Sequence, residues 1–267
     1  MKKTNAAPDP LSVDESDVPL TPDARDQIAA IVARQRKANG VLMKAISFVG
    51  GQVEDGLKML PSSVRAQVDD VARTALRQSY ALAAKSRNGI GEKVSSDRWH
   101  KAMGAVSGAV GGVGGLPTAL AELPVATTMI FRAVQNVAVA YGEDPASAET
   151  RMECLAVFGA GGPGTADDGI DTSFIGARLS LSGAAVNGLI SRVAPRFAAV
   201  LSQKLASQAV PVLGAAAGAG TNYAFMDYYV ALAHVHFGLR QLARTHGEAA
   251  VTEEFHRVLA ASTLPQT

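Results

Sequence analysis

Apolar residues recur along this chain at steps of three and four. From Val64 onward Val68, Val71, Ala75, Leu76 and Leu82 keep helical spacing, while Arg65, Arg73, Arg77 and Lys85 fall largely elsewhere on the surface. That pattern predicts an amphipathic helix with a basic side. Upstream, Thr21-Pro22-Asp23 reads as a helix start: hydroxyl cap, proline at the first helical position, carboxylate near the positive end. The helix is expected to run to about Asn39-Gly40, with another from Val41 to Leu60 stopped by Pro61. After Leu123-Pro124 a helix carries Ile130, Phe131, Val134 and Val137 and stops at Tyr141-Gly142. Asp144-Pro145 starts the next, with Met152, Leu155 and Phe158, and the glycines from Gly159 to Gly164 end it. Asp171 is expected to cap a helix near Thr172, and Pro195 and Pro211 to delimit a short one. A long final helix places Phe225, Tyr229, Leu232, His236, Leu239 and Ala243 on one face, and Thr252 opens a terminal helix. No alternating run lies between hairpin turns. The expected fold is all-α: a multi-helix bundle with glycine-rich, closely packed central helices or hairpins.

Two stretches lack charge. One fills the 20 residues between Lys101 and Glu122, with Gly104, Gly108 and Gly112 spaced by four; the other runs from Leu205 to Met226, with Gly214 and Gly218 four apart. As helices these glycine stripes allow a neighbouring backbone to approach closely. Each run is about 30 Å long if fully helical, the thickness of a bilayer core. Each also holds only five residues from Leu, Ile, Val and Phe, which favour insertion by roughly 1.5 to 3 kcal/mol before the unfavourable Gly, Pro and polar terms. Pro117 and Pro211 interrupt backbone bonding besides. Buried core helices are therefore the expectation, with conditional insertion the alternative. Arg98, Trp99, His100 and Lys101 directly precede the first run, as in an interfacial anchor.

Residues 1–20 mix Pro8, Pro10 and Pro19 with acidic residues and show no apolar period, so a disordered acidic tail is expected, followed by a single helical domain over 21–267. Met1-Lys2-Lys3 is followed by Asn5, Pro8, Asp9 and Pro10 where an apolar stretch belongs, so no export signal is expected. Lys plus Arg number 25 against 24 Asp plus Glu in 267 residues. No broad positive field exists to hold a polyanion, and nucleic acid is not an expected partner. Cys154 is the only cysteine, which excludes an internal disulfide and suits a reducing, cytoplasmic compartment. Aromatic residues make up 5% of the chain, so the core is expected to rest on close helix approach rather than on large rings.

Three blocks resemble the EcsC family: LPTALAELPVATTMIFRAVQNVAVAYGED from Leu116 to Asp144; VAPRF from Val193, leading through QAVPVLGAAAGAG from Gln208 to Gly220; and FMDYYVALAHVHFGLRQLARTHG from Phe225 to Gly247. They span most of residues 100–247 in the family's order. One departure is Glu122, where the family usually has aspartate before Leu-Pro. The family takes its name from a bacterial operon that also encodes an ABC transporter. The resemblance thus implies a fold and a membrane neighbourhood and names no reaction.

Candidate chemistry is sparse. Glu122, at the edge of an uncharged run, needs a partner or exposure; Arg132, Arg178 or Arg196 could pair with it, and Gln135 is placed for a polar contact. Asp227 and His234 share a helix face but lie about 10 Å apart along the axis, too far for one ion without a third element, and His236 points elsewhere. No metal or cofactor is expected. Asp167, Asp168 and Asp171 lack calcium-loop spacing, Gly159–Gly164 lacks the Lys and Ser/Thr of a phosphate loop, and neither Ser180, Ser182 and Ser191 nor Cys154 sits in a nucleophile motif.

The leading expectation is a non-catalytic helical protein at the cytoplasmic face of the membrane, docking to a transporter or inserting its glycine-rich hairpins reversibly. Leu116, Leu120, Val212 and Leu213 would supply apolar contact, and Arg73, Arg77, Lys85, Arg98 and Lys101 attraction to anionic headgroups. The rival is a hydrolase using Glu122, Asp227 and His236. A third reading is a scaffold whose small-residue faces bind a partner or a second copy of the chain.

Overall fold

The computed structural model describes residues 19–50, 62–85, 115–160, 183–208 and 214–263. Among them are seven α-helices and no strand: α1 (Pro22–Gly50), α2 (Ser62–Lys85), α3 (Gly115–Ala140), α4 (Ala148–Val157), α5 (Gly183–Gln208), α6 (Gly214–His246) and α7 (Glu248–Thr263). The all-α expectation holds. The acidic tail before residue 19, and the helix expected after Asp171, lie outside the described residues.

Several helix ends follow their local chemistry. Thr21 Oγ1 accepts from the Ala24 amide at 3.1 Å, capping α1. The expected break at Asn39-Gly40 does not occur, and one helix continues to Gly50. A lone glycine in a helix costs about 1 kcal/mol, too little to stop one by itself. α3 ends at Gly142, whose φ of 80° is in the left-handed region, while Tyr141, Gly142 and Glu143 amides close on the last carbonyls. Asp144 does not cap a helix directly: its Oδ1 accepts from the Ala146 amide at 2.9 Å and tightens a turn. Ser147 is the cap of α4, accepting from the Thr150 amide at 3.0 Å. Gly247, at φ 81°, joins α6 to α7, so the last helix opens at Glu248 rather than at Thr252.

Prolines fail as boundaries in two places. α3 begins before Leu123-Pro124 and carries Pro124 within it; α5 carries Pro195. Pro124 has no amide for the carbonyl four residues earlier. Just past it the Thr127 and Thr128 hydroxyls donate to the Leu123 and Pro124 carbonyls at 2.7 and 2.9 Å. Pro117 falls in the first turn of α3, where an amide has no intrahelical acceptor to lose.

α6 is the central helix. It packs against α1, α3 and α7 and also touches α4 and α5; α2 lies on α3 and α5, and α4 wedges between α2, α3 and α5. The face from Phe225 to Leu239 is buried, yet so are Tyr228, Val235 and Phe237 around the rest of the helix. α1 approaches so closely that a Cβ on Gly238 would stand 3.0 Å from Ile31 Cδ1.

The expectation of a core without large rings needs correction. Phe158 stacks on Phe131 and on Tyr229, at 6.1 and 5.0 Å between centroids, and meets Phe197 edge-on at 5.1 Å. These four rings come from α3, the end of α4, α5 and α6 and are all buried. Aromatic residues are few but concentrated at the centre, where each buried ring is worth roughly 3 to 5 kcal/mol against alanine.

Three sets of contacts orient the helices. Thr127 lines the same small pocket as Asn222 and Met226, and Tyr141 further along α3 meets His234, so α3 and α6 run parallel. Leu201 lines that pocket and Phe197 packs on Tyr229, so α5 runs the opposite way. Ser79 meets Thr128 at 3.2 Å, and Arg73, earlier in α2, reaches Ser191 on α5 at 3.4 Å; α2 therefore runs with α5.

Candidate functional site

The two ends of the bundle differ in chemistry. At one end α6 presents His236, Arg240 and Arg244, four residues apart and hence on one face. α4 presents Glu149 and Glu153, also four apart, and the α3–α4 turn contributes Glu143. Glu153 Oε2 accepts from His236 Nε2 at 2.7 Å, and its Oε1 accepts from Arg240 Nη1 at 3.1 Å. Arg240 Nε donates to Glu143 Oε1 at 3.0 Å, and Nη2 to Glu149. Arg244 donates to Glu143 at 2.5 Å and to the Tyr141 carbonyl at 3.0 Å. One guanidinium thus braces three carboxylates spread over the α3–α4 corner, a geometry that the planar arginine fork suits.

Burial decides what this network can do. His236 and Glu153 side chains are 1% and 0% exposed. Among the described residues His236 Nδ1 has no hydrogen-bond partner. Burial tends to lower the basicity of Arg240, but the Glu153 and Glu143 charges and the Glu149 and Glu143 hydrogen bonds outweigh it and hold the pKa above the usual arginine value. Cys154 is pushed well above the usual thiol range, first by burial and then by Glu153 and Glu143, against a smaller opposing effect of Arg151. It is a thiol in a sealed core, not a poised thiolate. A catalytic group must meet its substrate, and His236, Glu153 and Cys154 do not meet solvent; the buried contacts tie helices together.

Toward the opposite end, apolar side chains among the described residues are open to solvent. Leu82, Val125 and Tyr223 are 46%, 54% and 45% exposed. Ser79 opposite Thr128 sets Leu82, three residues on, level with Val125 on the antiparallel α3. Tyr223 belongs to the same level, because its neighbours on α6 share a pocket with Leu123, Ala126 and Leu201. That pocket also includes Met129, Ile130, Phe225 and Met226, with Asn222 and Thr127 as its polar residues. Both uncharged runs border this end: the first reaches into the start of α3, and the second is divided between the end of α5 and the start of α6. The described parts of the second run thus belong to two helices of opposite direction. Among the described residues only Leu123–Ala140 is an 18-residue window apolar enough to cross a membrane, and half of it is buried within the bundle. The core helix of a packed bundle passes the same test.

The structure does not bring Asp227 and His236 together. They are two and a half turns apart on α6, hence on opposite sides, and His236 pairs with Glu153. His234 meets the Tyr141 hydroxyl at 3.2 Å through Nδ1. Arg196 donates to the Gly159 carbonyl at 2.9 Å and Gln135 to the Pro145 carbonyl at 3.4 Å. Arg77 is exposed, Arg73 and Arg132 are half-buried, and Leu120 packs partly against the core. Arg98, Trp99, Lys101, Gly104, Gly108, Gly112, Arg178, Val212 and Leu213 lie outside the described residues. Lys85, Leu116 and Glu122 are placed on α2 and α3 by their backbone alone, and Gly214 and Gly218 in the first turns of α6. Glu143, Glu149, Glu153, Arg240 and Arg244 escaped the sequence reading. The signal was present as two ladders of opposite charge at steps of four, Glu149/Glu153 and His236/Arg240/Arg244.

The profile of the EcsC protein family matches residues 30–242. The chain belongs to the EcsC family. The match extends well upstream of the blocks that carry the resemblance, taking in most of α1 and all of α2, and it ends two residues after Arg240. The arginine that braces the α3–α4 corner thus falls within the EcsC region. No curated protein and no solved structure matches the chain.

Proposed function

We propose that this EcsC protein is a non-catalytic helical protein that works at the cytoplasmic face of a membrane, its apolar end set against lipid or against a membrane protein such as a transporter. The observation that carries this reading is the gathering of exposed Leu82, Val125 and Tyr223 at the end bordered by both uncharged runs. Exposed apolar side chains scattered singly need no explanation, but several at one end mark a contact surface. Glu149 and Arg244, the exposed charges at the other end, support the same orientation, since they would face water.

The test is flotation of the purified protein with liposomes, followed by a carbonate wash. Recovery is expected, and Val125→Asp with Tyr223→Asp should reduce it at least tenfold while leaving the helical circular dichroism unchanged. Retention through the wash means that the uncharged runs insert; loss in the wash means contact at the surface. Absence of recovery on any vesicle, or full recovery of the double variant, overturns the reading.

A further inference from the structure

α2 and α5 run side by side toward the apolar end, and each carries two arginines one turn apart: Arg73 and Arg77 on α2, Arg192 and Arg196 on α5. The Arg73 hydrogen bond to Ser191 sets the two pairs next to each other. Arg77 lies five residues before Leu82, and Arg196 five before Leu201. At 1.5 Å per residue both stand about 7 Å above the apolar end, and Arg73 and Arg192 about 14 Å above it.

The acidic residues are placed differently. α5 contains none, and the two on α2, Asp69 and Asp70, lie still further from the apolar end than Arg73. Among the described side chains of α2 and α5 the order therefore changes with height: apolar Leu82 first, the four arginines next, the carboxylates of Asp69 and Asp70 above them. This is the order of groups met on passing out of a bilayer from acyl chains to phosphates to water.

We infer that the α2–α5 arginines bind the phosphates of anionic lipid headgroups and set the depth at which the apolar end rests. This inference depends on the membrane reading above and adds to it a lipid class and a binding face. The four cations act jointly. Arg73 and Arg196 keep contacts within the bundle, to Ser191 and the Gly159 carbonyl. Arg77, Arg192 and Arg196 are exposed and Arg73 is half-buried, and one arginine of each helix, Arg77 and Arg192, is the one to vary.

The experiment compares flotation on vesicles of neutral phosphatidylcholine with vesicles containing about one third phosphatidylserine, at low and high salt. The wild-type protein should bind the anionic vesicles at least tenfold more strongly at low salt, and the difference should shrink in salt. R77Q/R192Q should lose about fivefold for each arginine on anionic vesicles and keep its binding to neutral ones. R77K/R192K should retain most of the anionic preference, which separates lost charge from a disturbed surface. Equal wild-type binding to both vesicles, or an undiminished anionic preference in R77Q/R192Q, overturns the inference while leaving the membrane reading in place. Failure of the wild type to bind any vesicle removes both.

Discussion

Glu153 is the residue on which the charged network turns. It is fully buried and takes hydrogen bonds from His236 and Arg240, so replacing it with alanine leaves two buried donors without their acceptor. Removing one partner of a buried ion pair costs about 3 to 5 kcal/mol. Glu153→Ala should lower the melting temperature by roughly 10 °C. Glu149 binds the same arginine but is 57% exposed, and Glu149→Ala should cost less than about 1 kcal/mol. Equal losses on thermal melting would mean that burial does not set the difference.

Tyr229 gives the matching case for pH. Its hydroxyl is buried with no hydrogen-bond partner among the described residues, and burial, then Tyr228, pushes its pKa well above the usual tyrosine value. A folded pKa above the unfolded one means stability is intact below about pH 10 and is lost as pH rises beyond it, by up to about 1.4 kcal/mol per unit. Tyr229→Phe should flatten this alkaline loss and leave stability at pH 7 unchanged or higher, since an orphan hydroxyl is removed with the ring kept. Urea melts at pH 7 and pH 11 check both halves. Cys154 adds its own loss on the alkaline side, beginning at the lower pH of ordinary thiols.

Among the elements, the helices show why a residue's propensity does not by itself set a boundary. Gly40 and Gly142 are both glycines after apolar helical runs, yet α1 passes through the first and α3 stops at the second. At Gly142 the backbone takes a positive φ that a Cβ would strain; at Gly40 it is helical, and an added Cβ would meet nothing within 4 Å. Gly40→Ala should therefore stabilise by up to about 1 kcal/mol. Gly142→Ala should destabilise by about 1 to 2 kcal/mol, and chemical denaturation of the two variants distinguishes their signs. Pro124 and Pro195 carry the same lesson. Local sequence marks them as breaks, but packing of the flanking helix on both sides outweighs one missing hydrogen bond. The caps at Thr21 and Ser147 are different, because a side chain that satisfies a backbone amide three residues away needs no tertiary partner.

Across the whole molecule, polarity is the feature that a linear pattern conveys least. Val125 and Val139 are both exposed valines of α3, about 21 Å apart along its axis, and nothing in their immediate sequence ranks one above the other. The bundle sets Val125 level with Leu82 and Tyr223, and Val139 near the charged α3–α4 corner. An environment-sensitive dye on Val125→Cys should shift to the blue on addition of anionic vesicles, while the same dye on Val139→Cys should not. Cys154 is buried and leaves the introduced thiol as the labelling site. Shifts of equal size at both positions would show that the molecule does not approach lipid by one end.

Taken by itself, the sequence determined the all-helical class, the family and the caps at Thr21 and Tyr141-Gly142, because these depend on periodicity and on neighbours within a few residues. It also contained the two charge ladders, Glu149/Glu153 and His236/Arg240/Arg244, as spacing without a pairing. Only the tertiary structure decided that those ladders face each other, that Asp227 and His236 do not meet, that four scattered aromatic rings form one centre, and that α2 and α5 set their arginines side by side. Each of these joins residues tens of positions apart. Their free energy arises from burial and from contacts that exist only after the helices have packed, so no local pattern could carry it.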